Sequence, residues 1–167
     1  MGARTGLFGK IPAHGDFVRR HLPRSFVGPW DDWLSAGIAA AQDALGDDWA
    51  AAWDTAPAWR FRLAPGVCGP DAAVGAMLPS ADMVGRRFAI TLAALPAHDA
   101  PEEWFAALED AALAARDGAL DADALAACLP DAPDDGTRGA TAFWGAETPP
   151  RAMPTPADFT SLLAAAP

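Results

Sequence analysis

Between Pro57 and Pro96 the chain carries three strand-like runs separated only by short, turn-rich segments, and this spacing limits the folds open to it. Ala58–Ala64 (AWRFRLA) alternates, with Trp59, Phe61 and Leu63 on one side and Arg60 and Arg62 on the other. A period of two is that of a strand, so this run reads as half-buried, with its arginines turned outward. Ala73–Leu78 (AVGAML) and Phe88–Leu95 (FAITLAAL) lack polar alternation and read as more fully buried strands. Pro65-Gly66 is a turn signal, and Pro79–Arg87 (PSADMVGRR) is a polar loop. Connections this short favour antiparallel neighbours, because parallel neighbours need long crossovers.

Helical patterns lie on both sides of the strand run. Thr5–Gly9 is expected as a first short strand, and Ile11–Phe17 (IPAHGDF) as a loop. From Pro23 the spacing of Phe26, Trp30, Trp33, Leu34, Ile38 and Leu45 is helical. Ser25 can cap this helix, Pro29 suits a first turn and Gly46 supplies a stop. Asp47 or Asp48 is expected to cap a second short helix holding Trp49 and Trp53. Pro101–Arg116 reads as a helix with Trp104, Phe105, Leu108, Ala112 and Leu113 on its apolar face. Ala122–Leu129 reads as a shorter helix capped by Asp121. Pro130–Gly139 follows as a loop, Ala142–Gly145 (AFWG) as a final edge strand, Thr148–Pro156 as an extended proline-rich stretch, and Ala157–Ala166 as an amphipathic helix. The whole predicts an α/β sandwich: a mixed, largely antiparallel sheet covered by helices on one or both faces. Its 167 residues suit one domain spanning 1–167.

Much of the apolar content is alanine, so the seven tryptophans and eight phenylalanines must fill much of the core. Cys68 and Cys128 sit in no CxxC pattern and read as reduced thiols. There is no long apolar run for a membrane span and no secretory leader, so a cytoplasmic protein is expected. The net charge of −10 argues against general nucleic-acid binding. The charge is unevenly placed. Arg4, Lys10, Arg19, Arg20 and Arg24 crowd the start, whereas the segment from Asp99 to Asp135 is strongly acidic. A basic face opposite an acidic one is therefore expected, which suits a protein partner of complementary charge.

Few residues offer chemistry. Gly9-Lys10 resembles part of a phosphate loop, but Ile11 stands where a hydroxyl residue is needed and Pro12 follows at once. His14 and Asp16 are too close in sequence to face each other on a helix, and Asp16 is better suited to binding backbone N–H groups within its loop. Trp30-Asp31-Asp32-Trp33 reads as aromatic core plus acids near a helix start. Cys68 has no neighbouring base. The best site candidate is the loop holding Asp82, Arg86 and Arg87. Its arginines could grip a partner's carboxylate or phosphate, or pair internally with Asp82; the sequence leaves both open. Lys10, His14, Asp16, Asp82, Arg86 and Arg87 are thus the candidate partner-binding residues, on two loops expected at the same end of the sheet. No catalytic triad, metal-ligand cluster or cofactor motif is present in the sequence.

Four blocks in order resemble the N-terminal signature of the TagF (ImpM) family. They are Gly6-Leu7-Phe8-Gly9-Lys10-Ile11-Pro12 with Gly15-Asp16-Phe17; Pro29–Leu34; Trp59–Leu63 with Pro65–Pro70; and Pro79–Phe88. They follow one another within residues 6–95. Ala89 and Ala81 depart from the pattern, which usually has proline and valine there. The resemblance implies a non-enzymatic accessory protein of the type VI secretion system that restrains assembly after translation. It would work beside a threonine kinase, a phosphatase and a forkhead-associated (FHA) scaffold protein. The competing expectation is a small-molecule or phosphate-binding enzyme with a cleft between the 9–17 and 79–88 loops.

Overall fold

The computed structural model describes residues 4–134, 136 and 138–163. Its strands are β1 (Gly6–Gly9), β2 (Val18–Arg20), β3 (Trp59–Leu63), β4 (Ala73–Ala81), β5 (Arg87–Ala94), β6 (Ala142–Gly145) and β7 (Thr148–Arg151). They form one sheet in the order β2-β1-β5-β4-β3-β6-β7, and every pairing is antiparallel. The α/β sandwich is therefore present, with no parallel pair among the described residues. The helices are α1 (Arg24–Leu45), α2 (Trp49–Asp54), α3 (Glu102–Arg116) and α4 (Ala122–Cys128). None is long and apolar enough to cross a membrane.

Both faces of the sheet are covered. On one, α1 and α2 pack Phe26, Trp30, Leu34, Trp49 and Trp53 against Trp59, Phe61, Leu63 and Phe143. On the other, α3 and α4 pack Trp104, Phe105, Leu108 and Leu125 against Leu7, Val74, Leu78, Ile90 and Leu92. The tryptophans that supply this volume also find partners for their indole N–H groups, as buried indoles must. Trp30 donates to Thr91 Oγ1 (2.9 Å), Trp53 to the Ser80 carbonyl (3.0 Å) and Trp59 to the Leu162 carbonyl (2.7 Å).

Covering the second face overturns one expectation. The alternation in β3 placed Arg60 opposite Trp59 and Phe61, but Arg60 is 2% exposed rather than outward. The helix α3 lies over it and carries two carboxylates two turns apart. Arg60 donates to Glu102 Oε2 (2.6 Å) and to Glu109 Oε1 (2.6 Å), and its guanidinium sits 5.7 Å from the Phe105 ring centroid. The carboxylates of Glu109 and Glu102 outweigh the effect of burial and hold this guanidinium protonated more firmly than usual. Arg62, on the same face, stays partly exposed. It donates to the Ala140 carbonyl (2.9 Å) and to Asp99 (3.1 Å).

These pairs also revise the expected charge layout. Arg20 reaches Asp123 at 2.8 Å, and Arg60 and Arg62 meet Glu102, Glu109 and Asp99. Arg20 of the basic start, with Arg60 and Arg62 of the middle of the chain, is thus partnered by carboxylates of the late acidic segment. The separation along the sequence does not carry over whole into a bare basic face.

Several boundaries differ from the sequence reading for local reasons. β2 was not anticipated, because three residues flanked by loop signals give no period. The AFWG strand is interior: β6 pairs with β3 on one side and β7 on the other. The edge is β7, which contains Pro149 and Pro150. Pro23 precedes α1, no side chain caps it, and Pro29 lies inside it. Asp47 and Asp48 lie in a 3₁₀ turn, Gly46–Asp48, and neither side chain caps α2. Asp121 does cap α4, accepting from the Ala124 N–H at 2.8 Å. In place of the expected terminal helix there is a 3₁₀ segment, Pro156–Leu162, with residues 164–166 of that reading outside the described part. Phe159 of this segment packs so closely on Gly37 that a Cβ there would overlap its ring. The 130–139 loop likewise includes two positions, 135 and 137, outside the described residues.

Candidate functional site: paired loops at one end of the sheet

β1 ends at Gly9, whose φ of 141° is open to glycine and where a Cβ would overlap the Ala89 carbonyl. This lets the 10–17 segment turn tightly off the sheet beside the β4–β5 hairpin. Lys10 N–H donates to the Ala89 carbonyl (3.2 Å) and Met83 N–H to the His14 carbonyl (2.8 Å), so the two loops lie together.

Asp82 is the hub of this end. Its side chain is fully buried. One oxygen accepts from the backbone N–H of Arg86 (2.9 Å) and of Val84 (3.1 Å). The other accepts from Arg86 Nε (2.7 Å) and faces Lys10 Nζ at 3.5 Å. Burial opposes its charge, but the Arg86 backbone N–H, the Arg86 guanidinium and the Val84 N–H outweigh it and hold the carboxyl below its ordinary value. Arg86 also donates to the Gly15 carbonyl (2.6 Å), clamping one loop on the other.

The six candidate residues therefore fall into different roles. Asp82 is too deeply buried to meet a partner, and Lys10, with a side chain 12% exposed, is held between Asp82 and the Phe17 ring, 4.8 Å from its centroid. His14 accepts from the Ala122 N–H through Nε2 (3.0 Å) and so ties its loop to the start of α4. Asp16 accepts from the Phe17 N–H (2.7 Å) within its own loop. Arg87 makes a paired contact with both Asp54 oxygens (2.8 Å each), joining β5 to α2. This raises the Arg87 pKa and lowers that of Asp54, chiefly through the hydrogen bonds between them. Arg86 alone combines an internal pair with a largely exposed side chain, at 61%. The internal-pairing alternative accounts for its geometry.

The sequence reading missed the apolar residues of this end. Phe17 is 46% exposed, Met83 63% and Val84 71%. Phe17 stacks on Phe8 (centroids 5.7 Å apart) and meets Phe88 edge-on (5.0 Å), so an aromatic base underlies the exposed tip. The available signal was two consecutive large apolar residues before Gly85 in an otherwise polar loop.

Asp82→Asn tests the hub. An amide cannot accept from Arg86, Val84 and Lys10 together with a full negative charge. Hydrogen exchange at the Met83, Val84 and Arg86 amides is expected to accelerate, with the β4–β5 ladder little changed. The acid response follows from the sign of the shift. A carboxyl lowered on folding contributes stability that is complete above its unfolded value and is lost as pH falls through the lower folded value. The wild-type loop should loosen across that acidic window, and the Asn variant should lack this step.

A family model for the TagF N-terminal domain, type VI secretion system-associated, matches residues 6–131. Among solved structures, the crystal structure of PA0076 from Pseudomonas aeruginosa PAO1 is similar, with a TM-score of 0.83 and 32% identity over 95% of this chain and 93% of that one. No curated protein matches. The motif blocks, the antiparallel sheet clad on both faces and the family match agree: this chain belongs to the TagF N-terminal domain family of type VI secretion system-associated proteins.

Proposed function

We propose that the chain is a non-enzymatic, cytoplasmic accessory protein that restrains type VI secretion assembly by binding one of its components, and that the paired loops form the contact. The observation that carries this reading is the exposed tip, Phe17, Met83 and Val84, mounted on loops fixed by the buried Asp82. Apolar side chains held in place before binding lose little freedom on association, which favours affinity. Lys10, Asp82 and Arg86 are engaged with one another, which supports a contact surface over a catalytic cleft. Arg86 stands at the margin of the tip, where its free surface can meet an acidic or phosphorylated group. The FHA scaffold linked to the kinase and phosphatase pathway is the proposed partner.

Replacing both Arg86 and Arg87 would disturb Asp82 and Asp54 as well as the surface, so the tip gives the cleaner test. Met83→Asp with Val84→Asp changes only exposed side chains and should leave the melting temperature nearly unchanged. Binding to the purified FHA scaffold, measured by titration calorimetry, should weaken by roughly 30-fold or more, as for loss of one central contact. Secretion should be derepressed in cells carrying the variant. Undiminished binding by the folded variant would remove the loops from the interface.

A further inference from the structure

The strand β1 has a second end, away from the paired loops, and a cleft of about 480 Å³ opens there. One wall comes from Arg4 and Thr5, which lead into β1, and from Arg20 and His21 at the end of β2. The other comes from α4 and the residues after it, with Asp123 and Asp131 beside the apolar Ala126 and Leu129. The volume lies in the range of small-molecule sites, and charges of opposite sign face each other across it.

Two features of the basic wall mark it out. Arg4 is exposed and has no ion-pair or hydrogen-bond partner among the described residues. His21 is the one non-glycine among the described residues with left-handed backbone, at φ 60°, a conformation that costs energy and is seldom kept without a reason. Arg20 is oriented by its bond to the Arg19 carbonyl (2.9 Å), and its partner Asp123 has a side chain 83% exposed. A pair so open to water is weakly held and can be exchanged for a ligand group.

We infer that this cleft binds a small zwitterion, with its phosphate or carboxylate on Arg4 and Arg20 and its ammonium on Asp123 and Asp131. A simple anion fits less well, because the two carboxylates would repel it. A simple cation would be repelled by the arginines. The cleft shares no lining residue with the paired loops, so it stands whether or not they bind a protein.

The test is an amide NMR titration of the full chain. Phosphoethanolamine and β-alanine distinguish phosphate from carboxylate as the anionic group, with inorganic phosphate and ethylamine as singly charged controls. Saturable shifts are expected at Thr5, Arg20, His21, Asp123 and Ala126 with at least one zwitterion, about tenfold tighter than with either control. Arg4→Gln and Asp131→Asn should each weaken this binding while leaving the rest of the spectrum in place. No saturable shift with either zwitterion, equal affinity for inorganic phosphate alone, or binding indifferent to both variants would each overturn the assignment.

Discussion

Arg60→Ala should destabilise the protein by about 3–5 kcal/mol, because it strips a buried charge network of its centre. Glu109, whose side chain is 15% exposed, would keep its carboxylate beneath α3 with no cation to meet it. In a domain of this size the loss corresponds to a drop of roughly 6–20 °C in melting temperature, which calorimetry would read directly. The cause is separable from any net strength of the ion pairs. Arg60→Met combined with Glu109→Leu removes both buried charges and keeps the volume filled, and should recover most of the lost stability. If the double variant is as unstable as Arg60→Ala, the effect lies in packing rather than in an orphaned carboxylate.

Trp30→Ala should cost a similar amount, about 3–5 kcal/mol, by opening a cavity at the centre of the first core. Trp30 is fully buried, with ring centroids 4.5 Å from Phe61, 5.1 Å from Trp33 and 5.6 Å from Phe26. The indole does a second job by donating to the fully buried Thr91 hydroxyl. Trp30→Phe keeps much of the ring but strands that hydroxyl, at a cost of about 1–3 kcal/mol from this source. Adding Thr91→Val to Trp30→Phe should return part of it. Urea midpoints at constant slope would measure each step. A Thr91→Val background that leaves the Trp30→Phe penalty unchanged would show that the hydrogen bond contributes nothing.

What the sequence made legible follows from how locally each feature is encoded. β3 and β5 and the long helices α1 and α3 show their periods within single windows, so they could be read without knowledge of their neighbours. The paired loops could be located because both leave predicted strands and both hold glycine, acid and base. The depth of Asp82 and the fate of Arg60 could not. Each depends on what lies across a non-local contact: Gly15 is brought to Arg86, and α3 is laid over a strand some forty residues earlier. β7 was hidden for a different reason. Proline argues against an interior strand. Adjacent residues turn their amides to opposite sides, so Pro149 and Pro150 together fit an outermost strand whose pairing with β6 is irregular. Lys10 looked like surface chemistry because the sequence shows its charge and not the Phe17 ring packed beside it.

The two outer strands of the sheet have a bearing on how this protein can associate. β2 is three residues long with two arginines, and β7 carries adjacent prolines. Neither offers the row of free backbone donors and acceptors on which another chain could be templated. Copies crowded together are therefore kept from zipping edge to edge into fibrils. A partner must recognise shape and side chains, a mode of contact that can be released without tearing a shared ladder of hydrogen bonds.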